Sequence, residues 1–251
     1  MNTICPATQS AIAECLRIFS PFILYAFSLG FIPALLWLKL WLNEDHEHPE
    51  PPKRIISSFL LGSLAAVGAY IIPQLLNQYT NLFVADHIGF LAVLIIVAIE
   101  EILKFSGAAP ALASKDDDEP VDAMIYLITA ALGFVAVENT LYAFGEIMTY
   151  GNMAGAYLTA ERFIGASLIH VVSSATIGMG FSATFFNRKW RPYIVAMCIT
   201  LGIGLHASFN FLIIQGAQVG TGTYIAGAFA FTWVMALLLL IVFETIKKKK
   251  I

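Results

Sequence analysis

The chain has 251 residues, of which 59% are hydrophobic and 12% charged, with a formal net charge of -3 and a mean hydropathy of +0.78. A soluble domain carries roughly 45–50% apolar and about 25% charged residues, so this surplus of apolar side chains excludes a soluble fold and calls for lipid as part of the solvent. The few basic residues form no patch interleaved with aromatics, which excludes nucleic acid as a partner.

Seven apolar runs follow one another at about 18–42, 55–76, 87–105, 122–145, 163–186, 193–214 and 223–246. Each reaches the roughly 20 residues that a helix needs to cross the hydrocarbon. The expected fold is therefore all-α: a polytopic bundle of seven transmembrane helices, forming a single transmembrane domain over 1–251 with its motif-bearing core at about 87–214. The first basic residue is Arg17, and the first run is long enough to span. It reads as a retained helix and not as a signal peptide. Cys5, Cys15 and Cys198 lack CxxC spacing, so neither a zinc nor a disulfide framework is expected.

Lysine and arginine set the expected orientation. Lys53, Arg54, Lys115, Arg188, Lys189, Arg191 and the tail Lys247, Lys248, Lys249 and Lys250 fall on one side, and only Arg17 and Arg162 fall on the other. That distribution predicts an N-terminus outside and a C-terminus in the cytoplasm; a bacterial or archaeal cell membrane is the expected location. Two acidic, proline-containing connections, 43–54 (NEDHEHPEPPKR) and 114–121 (SKDDDEPV), read as solvated loops. His46 and His48 with their neighbouring carboxylates are a weaker metal candidate. The segment 146–162 carries no motif and reads as a generic loop.

The informative residues are those that a membrane should reject. An ionisable group at mid-membrane costs at least about 2.5–3.5 kcal/mol on insertion scales, so such groups normally face a protein interior and serve function. Four places qualify. The third run ends in Glu100, Glu101 and Lys104, with Lys104 one turn beyond Glu100. The fourth contains Phe134, Glu138, Asn139 and Tyr142, with Phe134, Glu138 and Tyr142 on one helical face. The fifth carries His170 with Ser174 at i+4, and the sixth carries His206 with Asn210 at i+4.

At roughly 1.5 Å of rise per residue, Glu138, His170 and His206 reach a similar depth in the outer half of the membrane. Glu100 matches them only if the third helix runs beyond Phe105 into the apolar stretch 107–113, and such an extension is predicted. Carboxylates and neutral imidazoles at one depth can take a proton from water and return it to a leaving group, and histidine with an amide can donate to an oxyanion. That set suits peptide hydrolysis in or near the bilayer. No nucleophile elbow surrounds Ser173 or Ser174, and HExxH is absent.

In this order, EExxK, FxxxENxxY, HxxxS and HxxxN resemble the motifs of the PrsW family of intramembrane proteases, which is distantly related to the CAAX prenyl endopeptidase and bacteriocin-processing superfamily. The match extends from about Glu47 to Asn210 and includes the Glu-Pro pairs of 47–52 and Glu119-Pro120-Val121-Asp122. The resemblance implies an endopeptidase that cuts membrane-anchored protein substrates, with site-1 cleavage of an anti-sigma factor as the family's pattern. It matches Glu100 and Glu101 to the family's essential glutamate pair, His170 to its essential histidine, and His206 with Asn210 to an oxyanion-binding pair. Catalytic candidates are thus Glu100, Glu101, Glu138, His170, His206 and Asn210, supported by Lys104, Asn139, Tyr142 and Ser174.

The preferred mechanism is glutamic: Glu100, helped by His170, activates water with no cofactor required. The alternative is one zinc ion held by Glu100, His170 and His206. The rival function is an ion- or proton-coupled transporter using the same buried groups, which would show broken helices and related halves.

Overall fold

The structure, a computed structural model, describes residues 9–44, 48–80 and 89–248. His46, Glu47 and His87, the last lysines of the tail and the side chains of Cys5, Cys15 and Arg17 lie outside the described residues. Among the described residues eight α-helices follow in chain order: α1 Gln9–Glu44, α2 Pro52–Thr80, α3 Phe90–Leu112, α4 Asp122–Tyr150, α5 Asn152–Ile164, α6 Ala166–Ala183, α7 Arg191–Val219 and α8 Gly222–Lys247. A 3₁₀ turn, Arg188–Trp190, precedes α7. No strand occurs among the described residues.

Six stretches among the described residues are long and apolar enough to cross a membrane, with α5 and α6 together forming one of them. The seventh rod, α3, has the length for a span but places Glu100, Glu101 and Lys104 within it. Chain length and composition thus make this an integral, multi-pass membrane protein. As predicted, α3 does not stop at Phe105 but continues to Leu112.

α4 is the axis of the bundle, packed against α1, α2, α3, α5 and α6. Every residue from Asp122 to Ala136 is buried, the pattern of a helix that is apolar all round and enclosed by others. Small residues permit the close approach, as they do between helices in lipid. A Cβ built on Gly133 would lie 1.9 Å from the Phe59 carbonyl oxygen, and one on Gly62 2.0 Å from that of Ala130. The outer faces remain apolar: Ile56, Leu60, Leu64, Val67 and Ile71 of α2 form an exposed stripe at helical spacing.

The connections expected to be free solvated loops tie to one another at one end of the bundle. Arg54 meets Asp116 at 2.6 Å, His48 meets Glu119 at 3.5 Å, and the Tyr126 hydroxyl bonds Glu50. The Asp122 carboxylate accepts the backbone N–H groups of Asp118 and Glu119 at 2.9 and 2.6 Å, which closes the turn into α4.

The generic loop expected at 146–162 is instead helical. α4 runs on to Tyr150, the chain turns at Gly151 with φ +93, and α5 occupies 152–164. Only glycine adopts that backbone cheaply. α5 and α6 are separated at Gly165, so the fifth predicted run, 163–186, begins inside α5.

Candidate active site

The site is assembled by α3, α4, α6 and α7, with α5 closing one wall. On α3, Glu100 and Glu101 are consecutive and so project about 100° apart. Glu100 faces a cavity of about 450 Å³, while Glu101 points between α6 and α7 and is fully buried, as is Lys104.

Burying a carboxylate demands partners, and Glu101 has four. Its Oε1 accepts from Lys104 Nζ at 2.5 Å, from Ser173 Oγ at 2.8 Å and from His206 Nδ1 at 2.7 Å. Its Oε2 accepts from Ser174 Oγ at 3.3 Å. With Nδ1–H donated to Glu101, the His206 ring turns its Nε2 lone pair toward Glu100 Oε2, 3.7 Å away. Both of those atoms are buried without a hydrogen-bond partner among the described residues.

His170 sits beside His206, with ring centroids 4.3 Å apart. Lys104 Nζ lies 3.0 Å from its Nδ1, and Glu138 Oε2 lies 3.2 Å from its Nε2. An ammonium only donates, so Nδ1 accepts and the ring presents Nε2–H to Glu138. Phe134, one turn before Glu138, packs against His170 and under the Lys104 ammonium, 5.3 Å from its ring centroid.

The sequence-predicted residues converge. Glu100, Glu138, Tyr142, His170 and Asn210 line the cavity. His206, Glu101, Lys104, Asn139 and Ser174 lie buried behind it. Glu161 and Arg162 of α5 add charge to one wall, and the rest is apolar, formed by residues such as Val93, Ile96, Phe209, Ile213 and Phe229. Glu100, His170 and His206 each offer one ligand atom, all within 4.8 Å of one another, and form the one such group found among the described residues.

Two participants escaped the sequence reading. Ser173, the unselected neighbour of Ser174, makes the shorter bond to Glu101. Arg162, read only as a topological charge, reaches from α5 to Glu138 and Asn139 at 2.5 Å each. Its signal was a cation immediately before an apolar run, which a helix end explains equally well.

Comparisons with known proteins point to a family of membrane proteases. The chain is 27% identical over 190 residues to Protease PrsW of Clostridioides difficile strain 630, covering 74% of this chain and 78% of that one. It is 26% identical to Protease PrsW of Geobacillus kaustophilus over 194 residues, covering 77% and 81%. For Protease PrsW of Bacillus subtilis strain 168 the identity is 26% over 196 residues, covering 74% and 81%. No solved structure matches the chain. The family model described as PrsW family intramembrane metalloprotease matches residues 50–243, well over half of the chain. A membrane peptidase thereby takes precedence over the transporter alternative, and the chain belongs to the PrsW family of intramembrane metalloproteases.

Proposed function

We propose that this protein cuts membrane-anchored proteins at a peptide bond brought into the cavity between α3, α4, α5 and α7, with Glu100, His170 and His206 as the water-activating group. The observation that carries this reading is the pair Glu100 Oε2 and His206 Nε2, buried 3.7 Å apart beside a cavity without hydrogen-bond partners among the described residues. A buried polar atom without a partner costs about 1–3 kcal/mol. Two such atoms facing one space, Glu100 Oε2 and His206 Nε2, suit a ligand that completes them.

The family description implies a metal; Glu100 and His206 fit one as they stand, and His170 would join them by giving up Lys104 or Glu138. Glu101 holds His206 through Nδ1 and leaves Nε2 as the free lone pair, which is the carboxylate–histidine support found behind metal-ligating histidines. Held by Glu100, His170 and His206, a zinc-class ion would polarise the scissile carbonyl and lower the pKa of an attacking water.

The chain's own groups supply the rest. Glu138 spends Oε2 on Arg162 and His170. Its Oε1 is the carboxylate oxygen that takes a proton from water and returns it to the departing amide nitrogen. Asn210, which lines the cavity from α7, donates its amide N–H to the carbonyl oxygen as negative charge develops there. The apolar walls hold the flanking side chains of a substrate strand. The family pattern supports an anti-sigma-factor-type regulator as the substrate, and the distribution of lysine and arginine supports a cavity that opens in the outer half of a cell membrane.

A second reading is favoured by His170 itself. Lys104 and Glu138 occupy both of its ring nitrogens, whereas a metal ligand needs one lone pair free. In that version Glu100 takes the proton from water directly, with no ion.

Elemental analysis of the purified protein decides between them. One equivalent of bound metal in the wild type, lost in Glu100→Gln and His206→Ala, with turnover abolished by a chelator and restored by zinc, is the expected result. Full turnover by metal-free protein would leave the direct mechanism. No cleavage of any membrane protein under either condition would overturn the peptidase reading.

A further inference from the structure

We infer that Arg162 is a positioning residue of the site: its forked guanidinium, carried in on α5, fixes the Glu138 carboxylate and the Asn139 amide against His170. Nε donates to Asn139 Oδ1 and Nη2 to Glu138 Oε2, each at 2.5 Å, while the guanidinium lies 4.0 Å from the Tyr142 ring centroid. Two donors in one rigid plane therefore grip two consecutive residues of α4. Lysine, a point charge on a flexible stem, cannot reproduce that geometry.

The grip is braced from the other side. Asn139 Nδ2 donates to Ser167 Oγ on α6 at 3.1 Å, so the amide oxygen has to face Arg162. Glu138 Oε2, bound to Nη2, is also the oxygen 3.2 Å from His170 Nε2. Lys104 holds the other face of the same ring. The orientation of His170 is thus set by one cation directly and by a second through Glu138.

α5 is built to deliver this side chain and is not a slack connector. It starts after the turn at Gly151, whose φ is +93. A Cβ on Gly155 would lie 2.4 Å from the Ile147 side chain, so α5 packs tightly onto the end of α4. The Phe163 carbonyl, next to Arg162, accepts from Trp37 Nε1 of α1 at 3.1 Å. An arginine that merely neutralised Glu138 would need only its charge. The fork, the Asn139 bond and the bracing helix specify a direction as well.

The inference rests on the proposed function only for its consequence in turnover, and its test does not use turnover. The full chain in dodecyl maltoside micelles, labelled with ¹⁵N-histidine, would be compared as wild type, Arg162→Gln and Arg162→Lys, with His170 and His206 assigned by single glutamine substitutions. The wild-type His170 ring should give two well separated nitrogen resonances, one protonated and one not. In both Arg162 variants that pair should converge as the ring loses its fixed orientation, while the His206 pair, held by Glu101, stays in place. An unchanged His170 pair in Arg162→Gln, full restoration by lysine, or equal disturbance of His206 would each overturn the inference. A chain that shows the expected signatures yet cuts no membrane protein keeps the clamp and loses only the proteolytic reading.

Discussion

Glu100 and Glu101 are neighbours in sequence, yet the structure assigns them opposite energetic roles, and replacing each by glutamine separates those roles. Glu101 and Lys104 are both fully buried and 2.5 Å apart, and the same carboxylate accepts from Ser173, Ser174 and His206. Glu101→Gln leaves the Lys104 ammonium buried without its counter-charge. Removing one partner of a buried pair costs about 3–5 kcal/mol. Glu100 Oε2 has no hydrogen-bond partner among the described residues, so in chelator-treated protein Glu100→Gln should change stability by less than about 1 kcal/mol. Unfolding by sodium dodecyl sulfate titrated into dodecyl maltoside micelles, followed through the protein's 4 tryptophans, gives both values. The double substitution Glu101→Gln with Lys104→Met removes both charges and should recover most of the lost stability, since an apolar replacement of a buried pair is often neutral. It should not recover cleavage, because His206 Nδ1 still lacks its carboxylate, and losing such a support costs about 10–100-fold. An unfolding midpoint for Glu101→Gln equal to that of the wild type, or a lower one for Glu100→Gln than for Glu101→Gln, would refute this division of labour.

Three further outcomes are expected. Asn210→Ala should lower kcat by about 10²–10³-fold, the cost of one oxyanion donor, with KM little changed in a reporter assay; a loss confined to KM would place Asn210 in binding alone. Gly133→Ala should destabilise by about 1–3 kcal/mol through overpacking, because its Cβ would lie 1.9 Å from the Phe59 carbonyl oxygen; wild-type melting would show that α2 and α4 do not approach so closely. Asp117, in the loop before α4, has its carboxyl pushed up to about 6 by burial, offset only in part by Arg191 and Arg188. Its contribution to stability is therefore full below about pH 4 and lost as pH rises through about 6. Asp117→Asn should melt above the wild type at pH 7.5 and level with it at pH 4, and a gain independent of pH would contradict the assignment.

What the sequence revealed and what it concealed follow from the same physics. Lipid rejects charge, so Glu100, Glu138, His170 and His206 stood out against apolar runs, and the i+4 spacing of Ser174 and Asn210 placed them on the same faces. The extension of α3 to Leu112 was legible because 107–113 is apolar and the depths demanded it. The separation of Glu100 from Glu101 was not, since both orientations are available until α6 and α7 pack against α3. α5 was missed because its 13 residues are too few and too polar to read as a span, and tertiary contacts rather than hydropathy hold it. Arg162 was lost with it, because a cation at a membrane boundary has an ordinary explanation that needs no partner. The ties between the two acidic connections were also hidden, since Arg54–Asp116 and Tyr126–Glu50 join segments more than sixty residues apart.

The most direct test compares membrane proteomes of cells expressing the wild type and Glu100→Gln, with new protein termini mapped by mass spectrometry. Cleaved membrane-anchored proteins should give new termini only with the wild type, at equal abundance of the two enzymes. Identical sets of termini in both would contradict hydrolysis at the Glu100–His170–His206 cavity.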